Sequence, residues 1–263
     1  MESIVLASAG RDAETVFSGG GDLTVVAAFA RSFYMRDAGG RLACVGGPGL
    51  GDGPLNALCE HAPAIPAAGA ILSTGIFDRR RMTRWRPAPP GALKREGLRA
   101  RLAAVAAARP RGLAAAIPAL LGSPFESADP FVAAAVTPLL EIRDWTGGDP
   151  PEALSRLVGL GSGLTPAGDD AIGGAAIAFR ATGRTAQADA LADWIRRLAP
   201  DATGEIARAH LMATARGEGS AALHAALGAL MTGGEPDLAA IDAIGHSSGW
   251  DALAGAVAVL AQA

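Results

Sequence analysis

The chain has 263 residues, with 23 Lys and Arg against 26 Asp and Glu and a formal charge of −3. Such a slightly acidic chain does not read as a nucleic-acid or anionic-membrane binder. Half of its residues are hydrophobic but only 5% are aromatic; Ala and Gly supply the bulk, which points to close helix packing rather than large aromatic pockets.

Two cysteines, Cys44 and Cys59, lack metal-type spacing and read as reduced thiols of a cytoplasmic protein rather than a disulfide. The start Met1-Glu2-Ser3-Ile4-Val5-Leu6 has neither the basic nor the long apolar region of a signal peptide. No apolar run approaches the roughly 20 residues that span a bilayer, so the expectation is a soluble, cytoplasmic protein.

The first eighty residues have a strand-like texture. Segments 4–7, 22–30, 32–36, 42–45 and 70–77 are short and fairly rich in β-branched and aromatic residues, and glycine clusters break them. Gly53-Pro54-Leu55-Asn56 is expected to open a short helix through Cys59. Between Asp78 and Pro90, five arginines (Arg79, Arg80, Arg81, Arg84 and Arg86) surround Trp85. They read either as a solvated linker or as carboxylate or phosphate ligands, since the guanidinium fork suits both anions.

From Ala92 onward the periodicity is helical, with expected helices at 92–108, 112–121, 130–142, 150–158, 166–181, 185–198, 204–216, 219–232, 236–244 and 249–262. Asp149, with Glu152 three residues on, reads as a cap, and Gly183, Gly217 and Gly233 read as helix stops. The fold class is therefore α+β, a β-rich N-terminal part followed by a mostly α-helical part. The expected domains are 1–90, ending in the Arg/Pro-rich junction, and 91–263, an Ala/Gly-rich helical domain carrying both glycine-loop motifs.

The chemistry concentrates in two loops. Gly159-Leu160-Gly161-Ser162-Gly163-Leu164-Thr165-Pro166-Ala167-Gly168-Asp169-Asp170 lacks the Gly-Lys-Ser/Thr ending of a P-loop and does not follow a clear strand, so it is neither a P-loop nor a dinucleotide fingerprint. Thr165 reads as the N-cap of a helix with Pro166 at its first position. Glycines let a ligand approach the backbone, and the N–H groups of a helix start favour an anion. Gly161, Ser162, Gly163 and Thr165 are therefore candidate substrate-binding residues. Asp169 and Asp170 beside them would repel an anion unless a cation or positive side chain intervenes. Consecutive helical residues point about 100° apart, so one aspartate could face a ligand or Mg²⁺ while the other fixes the loop. The plainer reading makes both of them first-turn acids favoured by the helix dipole. No cofactor is firmly implied; Mg²⁺ on Asp169 and Asp170 is the only one considered.

The second loop is Gly245-His246-Ser247-Ser248-Gly249-Trp250-Asp251. Ser248 and Asp251 are spaced as a near capping box. His246, at a helix start, could donate to an anion or act as acid or base, and Ser247 is a candidate nucleophile or ligand. His61, His210 and His224 have no short-spaced partner, which argues against zinc.

These motifs resemble a known family. Residues 160–170 resemble its "GLGPGLTPSGDD" signature, Gly245-His246-Ser247-Ser248-Gly249 with Asp251 and Gly255 resembles its "GHSSGxDxxxG", and Gly53-Pro54-Leu55-Asn56 fits its "GPxN" patch more loosely. The family, long labelled as a domain of unknown function, includes the AllH-type subunit of oxamate carbamoyltransferase from anaerobic allantoin (purine) breakdown. Two departures are Ser162 where Pro is usual and Ala167 where Ser is usual. The resemblance implies a subunit that handles carbamoyl phosphate and oxamate or a related ureido acid, alongside an acyl-CoA-synthetase-like subunit and a third subunit. Asp169, Asp170 and His246 would then be catalytic, with Gly161, Ser162, Gly163, Thr165, Ser247, Ser248 and Asn56 binding substrate. The alternatives are a non-catalytic anion-binding structural or regulatory subunit, or a ureido or amide hydrolase.

Overall fold

The computed structural model describes residues 3–262; Met1 and Glu2, at the head of the segment read above for a signal peptide, lie outside the described residues. The chain divides into two units, Met1–Pro87 and Ala88–Ala263. In order, the first unit contains β1 (Ile4–Ala9), α1 (Arg11–Ser18), β2 (Asp22–Ala28), β3 (Ser32–Arg36), β4 (Leu42–Gly46), β5 (Asn56–Cys59), β6 (Ile71–Ser73), β7 (Phe77–Asp78) and β8 (Thr83–Arg84). The second contains α2 (Leu98–Ala107), α3 (Ile117–Leu120), α4 (Pro130–Asp144), α5 (Ala167–Ala181), α6 (Thr185–Arg197), α7 (Glu205–Thr214), α8 (Ala221–Thr232), α9 (Leu238–Asp242) and α10 (Ser248–Leu260). The fold is α+β, with the sheet in the N-terminal part and helices after it.

The sheet order is β6-β2-β3-β4-β5-β1-β7, with β8 also on β1. Strands β6 to β4 pair antiparallel, β5 lies parallel to β4, and β1 is antiparallel to β5 and parallel to β7 and β8. The expected strand 70–77 is interrupted by a 3₁₀ turn at Thr74–Ile76, where the Ser73 hydroxyl accepts from the Gly75 N–H.

Two expectations fail here. Arg11–Ser18 is a helix inside the strand-like stretch: Ala13, Val16 and Phe17 recur at helical spacing and bury one face, with the Phe17 and Phe77 rings 4.9 Å apart. Conversely, 56–59 is a strand rather than a helix. The carbonyl of Pro54 accepts from the N–H groups of Asp12 and Ala13 at the head of α1, and a Cβ on Gly10 would stand 2.0 Å from the Gly53 carbonyl oxygen. Gly53 and Pro54 thus finish α1 instead of starting a helix of their own.

The arginine-rich segment is exposed but is not an unstructured linker, and four of its five arginines are engaged within the N-terminal unit. Thr83 and Arg84 pair with Ser8 and Ala9, Arg84 and Arg86 both reach Glu14, Arg80 pairs with Asp78, and Arg79 donates to the Phe17 carbonyl. Cys44 and Cys59 are free and buried, and burial pushes both thiols up to about 11.

In the second unit, α5 and α10 are buried almost along their whole lengths and form the centre of one core. Among the described residues, no helix is long and apolar enough to cross a membrane. Several helix starts differ from expectation. Helix α2 begins at Leu98 because Gly97 adopts a left-handed φ of 66°, and Arg101 donates to the Lys94, Glu96 and Leu230 carbonyls to fix the non-helical chain before it. Segment 112–121 splits into a 3₁₀ turn and the short α3, and 150–158 forms only a 3₁₀ turn at Glu152–Arg156 that starts after Pro151, without a cap from Asp149. Gly183, Gly217 and Gly233 all have positive φ at helix ends, as expected.

Candidate functional site

The first loop is held by its glycines and by one of its acids. Gly159, Gly161 and Gly163 have φ of 70°, 108° and 103°, values open to glycine and costly for other residues. A Cβ on Gly168 would stand 1.9 Å from the Leu157 carbonyl oxygen, so α5 can begin against the preceding turn only with glycine there. Asp169, 3% exposed, accepts from the Gly159 N–H at 3.0 Å and from the Thr203 hydroxyl. Burial raises its pKa, and those two donors oppose the rise. Asp169 therefore ties the loop to itself and to the segment before α7.

Thr165 does not cap α5. Pro166 occupies the cap position, and no side chain closes it. Instead the Thr165 hydroxyl lies 3.0 Å from the Ser248 hydroxyl, 83 residues away. This bond joins the two loops. Ser248 is consequently not the N-cap of a capping box: Ser247 holds the cap position of α10, with no side-chain bond to a backbone N–H of the helix. Asp251, 1% exposed, accepts from the Leu113 N–H at 2.6 Å and from the Ser247 hydroxyl.

Asp170 sits among these groups. Burial raises its carboxyl well above the usual range; the Ser248 and Thr165 hydroxyls pull it back, while the like charges of Asp251 and Asp169 push it further up. Its Oδ2 is out of solvent and has no hydrogen-bond partner among the described residues. A buried carboxylate oxygen without a donor is costly in a folded protein, and it marks a place where a ligand's N–H or O–H group would be favoured. Burial likewise raises the Asp251 carboxyl, against the Leu113 N–H, the Ser247 hydroxyl and the charge of His246.

The helices that carry the loops meet through glycine. A Cβ on Gly174 of α5 would stand 1.8 Å from the Ala252 carbonyl oxygen of α10, and one on Gly255 of α10 the same 1.8 Å from the Ala171 carbonyl oxygen of α5. Gly249 meets the Ile241 carbonyl oxygen in the same way, at 2.1 Å. Close helix contact sets both loops side by side.

The structure thus brings together Thr165, Asp170, Ser247 and Ser248, with Asp251. Ser162, Gly163 and His246 are exposed on the same loops. Asn56 belongs to the N-terminal unit, where its amide donates to the Gly51 carbonyl at 2.8 Å. Both Asp169 oxygens accept from protein donors, and no group of three or more His, Cys, Asp or Glu converges on a metal position among the described residues. The remaining histidines lie elsewhere; His224 Nε2 accepts from the Gly219 N–H. Sequence reasoning missed Thr203, Gly112 and Leu113. A Cβ on Gly112 would stand 2.2 Å from Asp251 Oδ1, and its place at the head of the expected helix 112–121 carries no sign of that contact.

A protein family described as "Oxamate carbamoyltransferase subunit AllH" matches residues 157–260. That span contains both loops and both glycine-packed helices. No curated protein and no solved structure matches the chain.

Proposed function

We propose, from the match of residues 157–260 to the family of the oxamate carbamoyltransferase subunit AllH, that the chain takes part in moving a carbamoyl group between phosphate and oxamate or a related amide or ureido acid. The single observation that carries this is the Thr165–Ser248 hydroxyl bond, which closes the two loops around the unpartnered Oδ2 of Asp170. Carbamoyl donor and oxamate acceptor both present amide nitrogens, and an N–H group is what that oxygen needs.

In the transfer, the acceptor's amide nitrogen attacks the carbamoyl carbon, the C–O bond to phosphate breaks, and phosphate leaves with that bond's electron pair. Asp170 orients the attacking nitrogen and receives its proton. Backbone N–H groups at Gly161, Ser162 and Gly163 face the phosphate or carbonyl oxygens, and His246 polarises the carbonyl or protonates the leaving phosphate. Donors preset at developing negative charge contribute several kcal/mol of transition-state stabilisation. Asp169 touches no reacting atom; it positions the loop. Partner subunits, an acyl-CoA-synthetase-like chain and a third chain, complete the assembly.

The test is transfer by the reconstituted complex. Asp170→Asn and His246→Ala should each lower turnover by at least about 100-fold while the protein stays folded. Near-wild-type turnover in both variants overturns the reading. A second reading, an anion-binding subunit without chemistry of its own, draws on the family's being named for a subunit. It predicts binding of carbamoyl phosphate by the complex while the Asp170 and His246 variants keep full turnover.

A further inference from the structure

The carboxylates at the heads of α5 and α10 leave an electrostatic problem. Asp169, Asp170 and Asp251 are held by N–H and O–H donors, and among the described residues no salt bridge joins any of them to an Arg or Lys. Carbamoyl phosphate and oxamate are both anions. An oxyanion beside these acids needs positive charge from a neighbouring element.

The segment 109–113 crosses this place. Leu113 donates its N–H to Asp251, and Gly112 is pressed so closely on Asp251 Oδ1 and Ser247 Cβ that any Cβ would stand 2.2 Å and 3.0 Å from them. Arg111 is fixed to Asp242, whose other oxygen accepts from Trp250 Nε1 of α10 at 2.7 Å. Arg109 precedes this clamp with only Pro110 and Arg111 between it and Gly112, so its Cα is at most about 11 Å from that of Gly112.

Arg109 is also conformationally unusual. It is the only non-glycine described residue with positive φ, at 56°. It follows α2 and its cap residue Ala108, where helices commonly close on a left-handed residue, so the chain turns at Arg109 into the clamp. The side chain is exposed and makes no ion pair or hydrogen bond among the described residues. Of the two arginines in this segment, Arg111 secures the backbone and Arg109 is left with its guanidinium uncommitted.

We propose that Arg109 binds the oxyanion of the substrate, its guanidinium fork holding the carboxylate or phosphate group whose amide end faces Asp170. The proposal rests on the transferase reading above and adds to His246 a permanent positive charge. Guanidinium–oxyanion pairs are charge-assisted and often bidentate, so their loss is read chiefly in binding.

The experiment measures KM and kcat for carbamoyl phosphate and for oxamate in the reconstituted complex, with wild type, Arg109→Ala and Arg109→Lys. Arg109→Ala should raise KM for one of the two substrates by about 10- to 100-fold with kcat within about threefold; the substrate affected identifies the anion. Arg109→Lys should recover part of the loss. Unchanged KM for both substrates in an active complex overturns the assignment while leaving the transferase reading intact. Loss of complex assembly on size-exclusion chromatography also overturns it, since the arginine then serves a subunit contact. Should wild type show no transfer, calorimetry of the complex with inorganic phosphate and with oxamate decides. Binding lost in Arg109→Ala supports the assignment although the transferase reading has failed, and binding retained, or absent from wild type, overturns it.

Discussion

Gly174 and Ala252 meet backbone to backbone: a Cβ on Gly174 would stand 1.8 Å from the Ala252 carbonyl oxygen. With Gly255 placed in the same way against Ala171, each central helix uses one glycine to admit the other. A methyl at either position must move a helix, and moving a helix moves a loop.

Gly174→Ala and Gly255→Ala should each destabilise the chain by about 2–3 kcal/mol, the scale of overpacking in a tight core. Helix propensity alone predicts the opposite, a gain approaching about 1 kcal/mol for Ala over Gly. Urea unfolding distinguishes them by sign. Because both substitutions push the same helix pair apart, the double variant should lose less than the sum of the singles.

Thr165 and Ser248 act on the acid between them. Both hydroxyls lower the Asp170 carboxyl from the value that burial and its acidic neighbours impose. Removing either, as Thr165→Val or Ser248→Ala, raises it further. If Asp170 works ionised, the acid limb of the turnover profile moves to higher pH in both variants. A pH–rate series across the two variants and wild type checks this, and an unmoved limb assigns it to another group.

Asp169 and Thr203 make a separate prediction. The loop is tied by two donors to one carboxylate, so Thr203→Val should cost about 1 kcal/mol and Asp169→Ala about 2–3 kcal/mol, since the latter also strands the Gly159 N–H. A double-mutant cycle by chemical denaturation should give a coupling energy of about 1 kcal/mol. Additive losses would mean that the Thr203 bond does not hold the loop.

What the sequence disclosed depended on how far away the deciding partner lay. The helices after residue 98 follow local periodicity, and most were legible to within a few residues. The two loops were legible as glycine-rich helix starts. Their internal wiring was not: Thr165 and Ser248 each have the side chain of a good cap, yet each spends its hydroxyl on the other across 83 residues. Asp251 likewise has the spacing of a capping acid but is drawn to Leu113, 138 residues away in the chain. Capping patterns describe a helix end left to itself, and here neither end is. In the N-terminal part, α1 was missed because eight residues give barely two turns of periodicity, and Gly53 and Pro54 misled because the Pro54 carbonyl serves another element's helix start.

His210 offers the clearest pH test of stability. It lies in α7, and burial lowers its pKa from 6.5 to about 4. The fold therefore favours the neutral ring, and between these values the unfolded chain binds the extra proton. Its contribution to stability is complete above pH 6.5 and is lost as pH falls toward 4, amounting to at most about 3 kcal/mol for a gap of this size; partial solvent contact of the ring reduces it. The acids at the loops oppose this trend, because Asp169, Asp170 and Asp251 all have raised values. Their contribution is present in acid and is lost as pH rises through those values. Comparing wild type with His210→Gln cancels the acids. The variant should lose less stability than wild type between pH 6.5 and 4.5, measured by urea midpoints at constant ionic strength. Parallel losses in the two proteins would show that His210 is protonated in the folded state as readily as in the unfolded one.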